Sequence, residues 1–134
     1  MSAGLSTRLT TRFDDAVNRT RNALAQNGFS VLTEVDIRAE LQDRLGVEME
    51  DYLILGACNP ALAYRAISLD REIGLLLPCN VLVRADPGEP GTVIVDAMNP
   101  GLLIEVTGEA SLITVAAEVT DSLRAAIAAL TESD

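Results

Sequence analysis

The chain has 134 residues, a formal net charge of −10, and neither histidine, lysine nor tryptophan. Such an acidic chain repels nucleic-acid phosphates and anionic membranes, so we expect neither as a partner. Without histidine or lysine, the chain cannot build a Cys–His catalytic pair, an imidazole metal site or a lysine-containing phosphate loop. Its 49% hydrophobic content is enough for one domain over residues 1–134, with an aliphatic core because only 3% of residues are aromatic.

The first half of the chain predicts three strands separated by helices. Residues 5–11 alternate apolar and polar side chains as a strand does, and residues 12–27 place apolar side chains at helical spacing. Ser30–Asp36 is β-branched and alternating, which predicts a half-buried strand, and residues 37–46 follow as a second helix. Residues 52–57 form a short continuous apolar run, as expected of a central strand.

The second half predicts a helix, a hairpin and a long final helix. Asn59 and Pro60 have the residue types of a helix N-cap and first turn. Residues 75–83 and 92–97 are apolar strands joined by a Pro/Gly turn, and an amphipathic stripe begins near residue 109. The order β-α-β-α-β-α-β-β-α predicts an α+β fold: a single two-layer domain whose helices cover a mixed or antiparallel sheet of about five strands.

Both cysteines of the chain are followed by asparagine, and each Cys-Asn pair has a proline beside it. A helix N-terminus lowers the pKa of a nearby thiol and attracts anions, while asparagine amides donate and accept hydrogen bonds. If the two strands that carry these pairs are neighbours, they form one site. Its candidate residues are Cys58, Asn59, Pro60, Pro78, Cys79 and Asn80.

The same residues also have structural explanations. Free cysteine is among the most buried residue types and packs as a small hydrophobe. Asn59 is explained as an N-cap, Pro60 as a first-turn residue and Pro78 as the mark of a strand edge. The structural and functional interpretations both stay open at this point.

Two acidic residues form a secondary candidate. Glu34 and Asp36 are two apart on a predicted strand, so they point to one face and could do acid–base work or bind a cation. The alternative is a solvated strand face, with Val31 and Val35 turned towards the core.

Tyr64 and Arg65 on the third predicted helix are further secondary candidates. Arg65 could meet an anionic ligand near the Cys-Asn pairs, or form a surface ion pair with Asp70 or Glu72. Tyr64 could cover a cleft.

No cofactor is indicated, and we predict no metal site within one chain, because two thiols fall short of the four ligands of structural zinc. Two chains of a dimer could supply four thiols. The 21-residue separation of Cys58 and Cys79 matches no short redox signature such as C-x-x-C. A reversible disulfide or a persulfide needs only the two cysteines, so thiol chemistry remains open.

Four stretches of the sequence resemble the domain-of-unknown-function 302 family. The likeness extends over nearly the whole chain, and the two Cys-Asn segments are its most specific part. It implies a compact α+β domain and no particular reaction. The stretches are residues 28–36, 45–47, 54–64 and 74–81.

Three functions are consistent with these features. The first is binding of a small molecule or anion at the Cys-Asn pairs, which we rank first because it needs the least special chemistry. The second is thiol-redox or sulfur handling by Cys58 and Cys79. The third is self-association as a homodimer through the apolar hairpin strand or the C-terminal helix. Residues 1–10 lack the apolar segment of a secretory signal, so we expect a cytoplasmic protein with reduced thiols.

Overall fold

The computed structural model describes residues 5–132, with the backbone alone at residue 132. The strands are β1 (Ser6–Thr10), β2 (Ser30–Asp36), β3 (Tyr52–Cys58), β4 (Cys79–Ala85) and β5 (Thr92–Ala97). The α-helices are α1 (Phe13–Gln26), α2 (Ile37–Leu45), α3 (Pro60–Leu69), α4 (Leu102–Thr107) and α5 (Ile113–Glu132). Two 3-10 helices span Arg71–Leu76 and Ala110–Leu112.

The five strands form one antiparallel sheet in the order β1-β5-β4-β3-β2. β4 and β5 are the predicted hairpin, and β3 is an inner strand, as its apolar run indicates. The α+β fold with about five strands is therefore confirmed, and the choice between a mixed and an antiparallel sheet is settled as antiparallel.

The core lies between one face of the sheet and the helices α1 and α5. Leu53, Leu55 and Ala57 on β3 alternate along the strand towards this face, and α5 contributes an aliphatic stripe from Val115 to Leu130. We call this the inner face of the sheet. The predicted apolar stripe of α5 packs on the inner face.

A bulge in β2 reverses the predicted orientation of its side chains. Val31 pairs with Ala57 and Thr33 pairs with Gly56, so one extra residue lies between them. Val31 therefore packs against the core as predicted, but the alternation is inverted after the bulge. Val35 lies on the opposite face and is 44% exposed. The prediction that Val35 faces the core is wrong for this reason.

The segment between α3 and β4 also differs from the prediction. The predicted strand 75–83 begins only at Cys79, because residues 71–76 wind into a 3-10 helix. The carboxylate of Asp70 accepts the N–H of Glu72 at 3.0 Å and so caps that helix. The short helix α4, which the sequence did not predict, begins after Pro100 and buries Leu103.

Candidate functional site

The two Cys-Asn segments meet because β3 and β4 are adjacent antiparallel strands. Ala57, at the end of β3, is paired with Cys79, at the start of β4. The last residue of β3, Cys58, therefore lies one position away from the direct partner of Cys79. The neighbouring strands on which the predicted site depends are present.

Asn59 caps α3. Its Oδ1 atom accepts the N–H of Leu62 at 3.2 Å, and its carbonyl accepts the N–H of Ala63 at 2.8 Å. Pro60, at the first helical position, has no N–H to offer. Of the N–H groups in this first turn, only that of Ala61 is left for a ligand, so the helix terminus is a poor anion site.

Removing this cap should destabilise the fold modestly. We expect Asn59→Ala to lower the free energy of unfolding by about 1 kcal/mol, because the N–H of Leu62 loses its acceptor. The exposed Asn80 offers a matched control, and Asn80→Ala should change the stability by less than about 0.5 kcal/mol. Urea denaturation of the three proteins checks this, and equal losses for both variants would contradict the assignment of Asn59 as a cap.

Pro78 and Asn80 lie away from the inner face. The Leu77–Pro78 peptide bond is cis. The Cγ atom of Pro78 lies 2.8 Å from the position that a Cβ atom on Gly56 would take, on the face opposite the core. Asn80 pairs with Gly56 and is exposed on that same face, while its carbonyl accepts the N–H of Met98. The structure therefore separates Pro78 and Asn80 from Cys79.

Both cysteines are free thiols, and burial raises the pKa of each. Cys79 is 5% exposed and belongs to the core, and burial together with the nearby Cys58 raises its pKa to about 11. Cys58 is half-buried, and its pKa is raised by burial alone. The expected lowering of the thiol pKa is not found: burial disfavours the thiolate and raises the pKa of both cysteines.

A small apolar cavity lies where the two segments meet. Its volume is about 20 Å³, which is room for a water-sized guest or slightly more. Of the predicted site residues, Cys58, Asn59 and Cys79 line it, and Pro60, Pro78 and Asn80 do not. The remaining lining residues are Phe29, Ala57, Leu62, Ala63, Ala66, Leu77, Leu103, Val115 and Val119.

Most of these apolar walls were not identified from the sequence as parts of a site. Phe29 reaches the cavity from the turn before β2, Leu103 from α4, and Val115 from α5. Their apolar character marks them as core residues, but no local pattern places them around one space. Only the packing of distant elements does so.

Glu34 and Asp36 each have a structural partner. Glu34 forms an ion pair with Arg21 of α1, and the Asp36 carboxylate accepts the N–H of Ala39 at 2.9 Å as the N-cap of α2. Beyond the bulge they lie opposite Leu55 and Leu53, on the same face as each other, as predicted. These contacts favour the structural interpretation of both carboxylates.

Tyr64 and Arg65 line a different depression, an open groove of about 450 Å³ between α3 and α5. The Arg65 Nη1 atom lies 2.7 Å from the Glu118 carboxylate, so this ion pair joins α3 to α5. The partner of Arg65 expected from the sequence was Asp70 or Glu72. Tyr64 is 72% exposed at the rim. Val115 lines both the groove and the cavity, but the two secondary candidates do not reach the thiols.

Neither a cluster of metal-ligand side chains nor a membrane-spanning helix is found in residues 5–132. That region has no cluster of three or more cysteine, aspartate or glutamate side chains arranged to hold a metal ion. None of its helices combines the length and apolar character that a bilayer span requires.

Comparison with known proteins places the chain in a family. The family model described as "Domain of unknown function DUF302" matches residues 5–130. A crystal structure of an uncharacterized conserved DUF302 protein from Bacillus stearothermophilus superposes with a TM-score of 0.84 at 26% sequence identity, covering 93% of this chain and 95% of that one. No curated protein matches the sequence. Since the family model spans almost the whole chain, this protein belongs to the DUF302 family.

Proposed function

We propose that this protein binds a small, mainly apolar molecule in the cavity beside Cys79. The observation that carries the proposal is the cavity itself, which is about twice the volume of a second small cavity in the core, between α1 and α5. Protein interiors are normally filled to the density of organic crystals, so a space enclosed by three helices and two strand ends is unusual. Ligand sites in small domains are typically concave, mostly apolar spaces with a few polar groups.

The chemistry of the walls indicates the class of ligand. Cys58, Cys79 and Asn59 are the polar side chains among the twelve lining residues, and the two thiols are uncharged at neutral pH because burial raises their pKa. With no positive charge in the walls and most N–H groups of α3 already bonded, an anion would gain little. An apolar guest loses no hydrogen bonds on entry and gains dispersion contacts with the walls.

The half-buried residues define the entrance. Cys58, Asn59, Ala63 and Leu77 are partly exposed, whereas Phe29 and the other deep residues are buried. The Asn59 amide group can therefore donate to one polar atom at the outer end of a ligand whose apolar part lies inside.

Thiol-redox chemistry has weaker support. The thiolate is the reactive form of cysteine, and reactive cysteines lie in electropositive, accessible surroundings. Here both thiols have a raised pKa, and Cys79 is 5% exposed. We therefore place ligand binding ahead of sulfur chemistry.

Xenon tests the cavity directly, because it is apolar and small enough for such a space. We expect xenon under pressure to shift the amide NMR signals of residues around the cavity, such as Cys79 and Val115, in a saturable manner. Ala63→Leu should abolish these shifts by filling the entrance. Ala61→Leu introduces the same side chain on the exposed side of the same helix and should leave the shifts intact.

Two results would overturn the proposal. One is the absence of saturable shifts at the cavity residues of the native protein. The other is equal xenon binding by the folded Ala63→Leu and Ala61→Leu variants, which would locate xenon elsewhere. If xenon does bind in the cavity, a thermal-shift screen of small apolar compounds with the same pair of variants would identify the chemical class of the natural ligand.

A further inference from the structure

We propose that the outer face of the sheet, opposite the inner face that packs against α1 and α5, is the contact surface for a second copy of this chain. This proposal is independent of ligand binding in the cavity. It rests on the side chains of the outer face, on the charges there and on the helices that cover the sheet.

Apolar side chains form a row over three neighbouring strands of the outer face, and the row ends at a charged residue on β5. Val35 on β2 pairs with Ile54 on β3, and Ile54 pairs with Leu82 on β4. Tyr52 and Ile94 lie one pair further along their strands on the same face. Val35 is 44% exposed, Tyr52, Ile54 and Leu82 are half-buried, and Ile94 is already buried at 7% exposure, so a partner would cover the part of this row that the chain leaves open.

An antiparallel sheet with one face in water alternates apolar and polar residues, whereas a strand buried on both faces is a continuous apolar run. β3 is close to the second pattern, since Ile54 is as apolar as Leu53 and Leu55, and Tyr52 presents an aromatic ring with one hydroxyl group. The sequence of β3 is therefore typical of a strand covered on both faces, and α1 and α5 of one copy cover only its inner face.

The helix α2 supports the same conclusion. It contacts β3 but buries none of its nine residues, and Leu45 at its end is 70% exposed. A helix of this length is marginal in water unless one of its sides is packed. A second copy that reached α2 would supply such packing.

The charges of the outer face favour a like partner. Arg84 pairs with Asp96 at 3.2 Å, and Ser6 also donates to Asp96, so these groups already satisfy one another. Arg8 pairs with Asp86 and Glu89 at the rim. Two copies with a net charge of −10 repel each other over most of their surface, and this nearly neutral face is where they can approach.

The size of the face is adequate for a dimer. Five strands about 4.8 Å apart and roughly six residues long cover roughly 24 by 20 Å. Packing two such faces would remove on the order of 1,000 Å² from water, which is the lower limit for a specific interface. Joining two sheets edge to edge through β2 is less favourable, because the bulge and the inward-pointing Glu34 disrupt that edge.

Sedimentation velocity of the full chain tests the proposal. We expect the native protein at about 10–100 µM to sediment with twice the 14.2 kDa mass of one chain. Leu82→Glu places a carboxylate in the apolar row and should raise the dissociation constant at least about a hundredfold. Leu75→Glu makes the same change at a leucine that is 84% exposed on the 3-10 helix, and should leave the constant within about threefold of the native value.

Circular dichroism would first establish that the variants are folded. If Leu82→Glu does not fold, Val35→Glu replaces it, because Val35 is already 44% exposed. A native protein that is monomeric at 100 µM would overturn the proposal. So would a folded Leu82→Glu or Val35→Glu variant that remains as dimeric as the native chain, or a loss of the dimer in Leu75→Glu alone.

Discussion

Gly56→Ala is expected to lower the free energy of unfolding by about 3 kcal/mol, at the upper end of the usual cost of overpacking. Gly56 is buried in the middle of the sheet. A Cβ atom there would lie 2.8 Å from the Cγ atom of Pro78 and would overlap the Oγ1 atom of Thr33. The Thr33 side chain must turn away, and because the proline ring is rigid the start of β4 must also shift to make room.

Gly74→Ala is the matched control for this change. Gly74 has ordinary backbone angles and no heavy atom near the position of an added Cβ, so the same methyl group should change the stability by less than about 1 kcal/mol. Chemical denaturation of both variants and the native protein gives the comparison. Equal stabilities for the two variants would show that the contact between Gly56, Thr33 and Pro78 can relax without cost.

The elements of this fold could be predicted where local signals are strong. The apolar stripe of α5, the alternation in β1 and the Pro/Gly turn between β4 and β5 each depend on neighbouring residues, and all three elements are present. The segment 71–76 was predicted in part as strand, because a run of leucines does not distinguish a strand from a short helix. The Asp70 side chain caps this segment, which is a 3-10 helix in the structure.

The bulge in β2 shows why orientation is harder to predict than secondary structure. Residues 30–36 have a regular alternating pattern, and nothing in it indicates an extra residue near Leu32. A shift of one residue exchanges the faces of every side chain that follows. As a result Val35 lies on the outer face, and this change creates one end of the apolar row there.

The candidate site could be predicted only in part for a related reason. Sequence identified the segments that meet, because Cys58 and Cys79 lie on strands that pair. It could not separate the faces of the sheet, so Pro78 and Asn80 were grouped with residues from which the structure separates them. It also left open whether the helix terminus or burial governs the thiols, because burial depends on walls contributed by distant elements.

Alkaline solution should destabilise the fold through Cys79. Its pKa is about 11 in the folded protein and near its ordinary value of 9 when unfolded. A raised folded-state pKa means that the protonated thiol is favoured by folding, so this stability is complete below about pH 9 and is lost as the pH rises to 11. Two pKa units correspond to about 2–3 kcal/mol, which denaturation at pH 8 and pH 11 should reveal.

The reactivity of the thiols provides an independent measure of the same burial. At pH 8 the thiolate fraction of Cys79 is roughly a hundredfold smaller than that of a cysteine with an ordinary pKa. We therefore expect a chromogenic thiol reagent to modify Cys58 first and Cys79 only on unfolding. Cys79→Val should remove the slow thiol and weaken the alkaline loss of stability, whereas Cys58→Ala should keep the slow thiol and most of that loss, because burial is the main cause of the raised pKa of Cys79. Rapid reaction of two thiols in the native protein would contradict the burial of Cys79 and return sulfur chemistry to the leading position, because accessible thiols close together at one strand end are what a reversible disulfide requires.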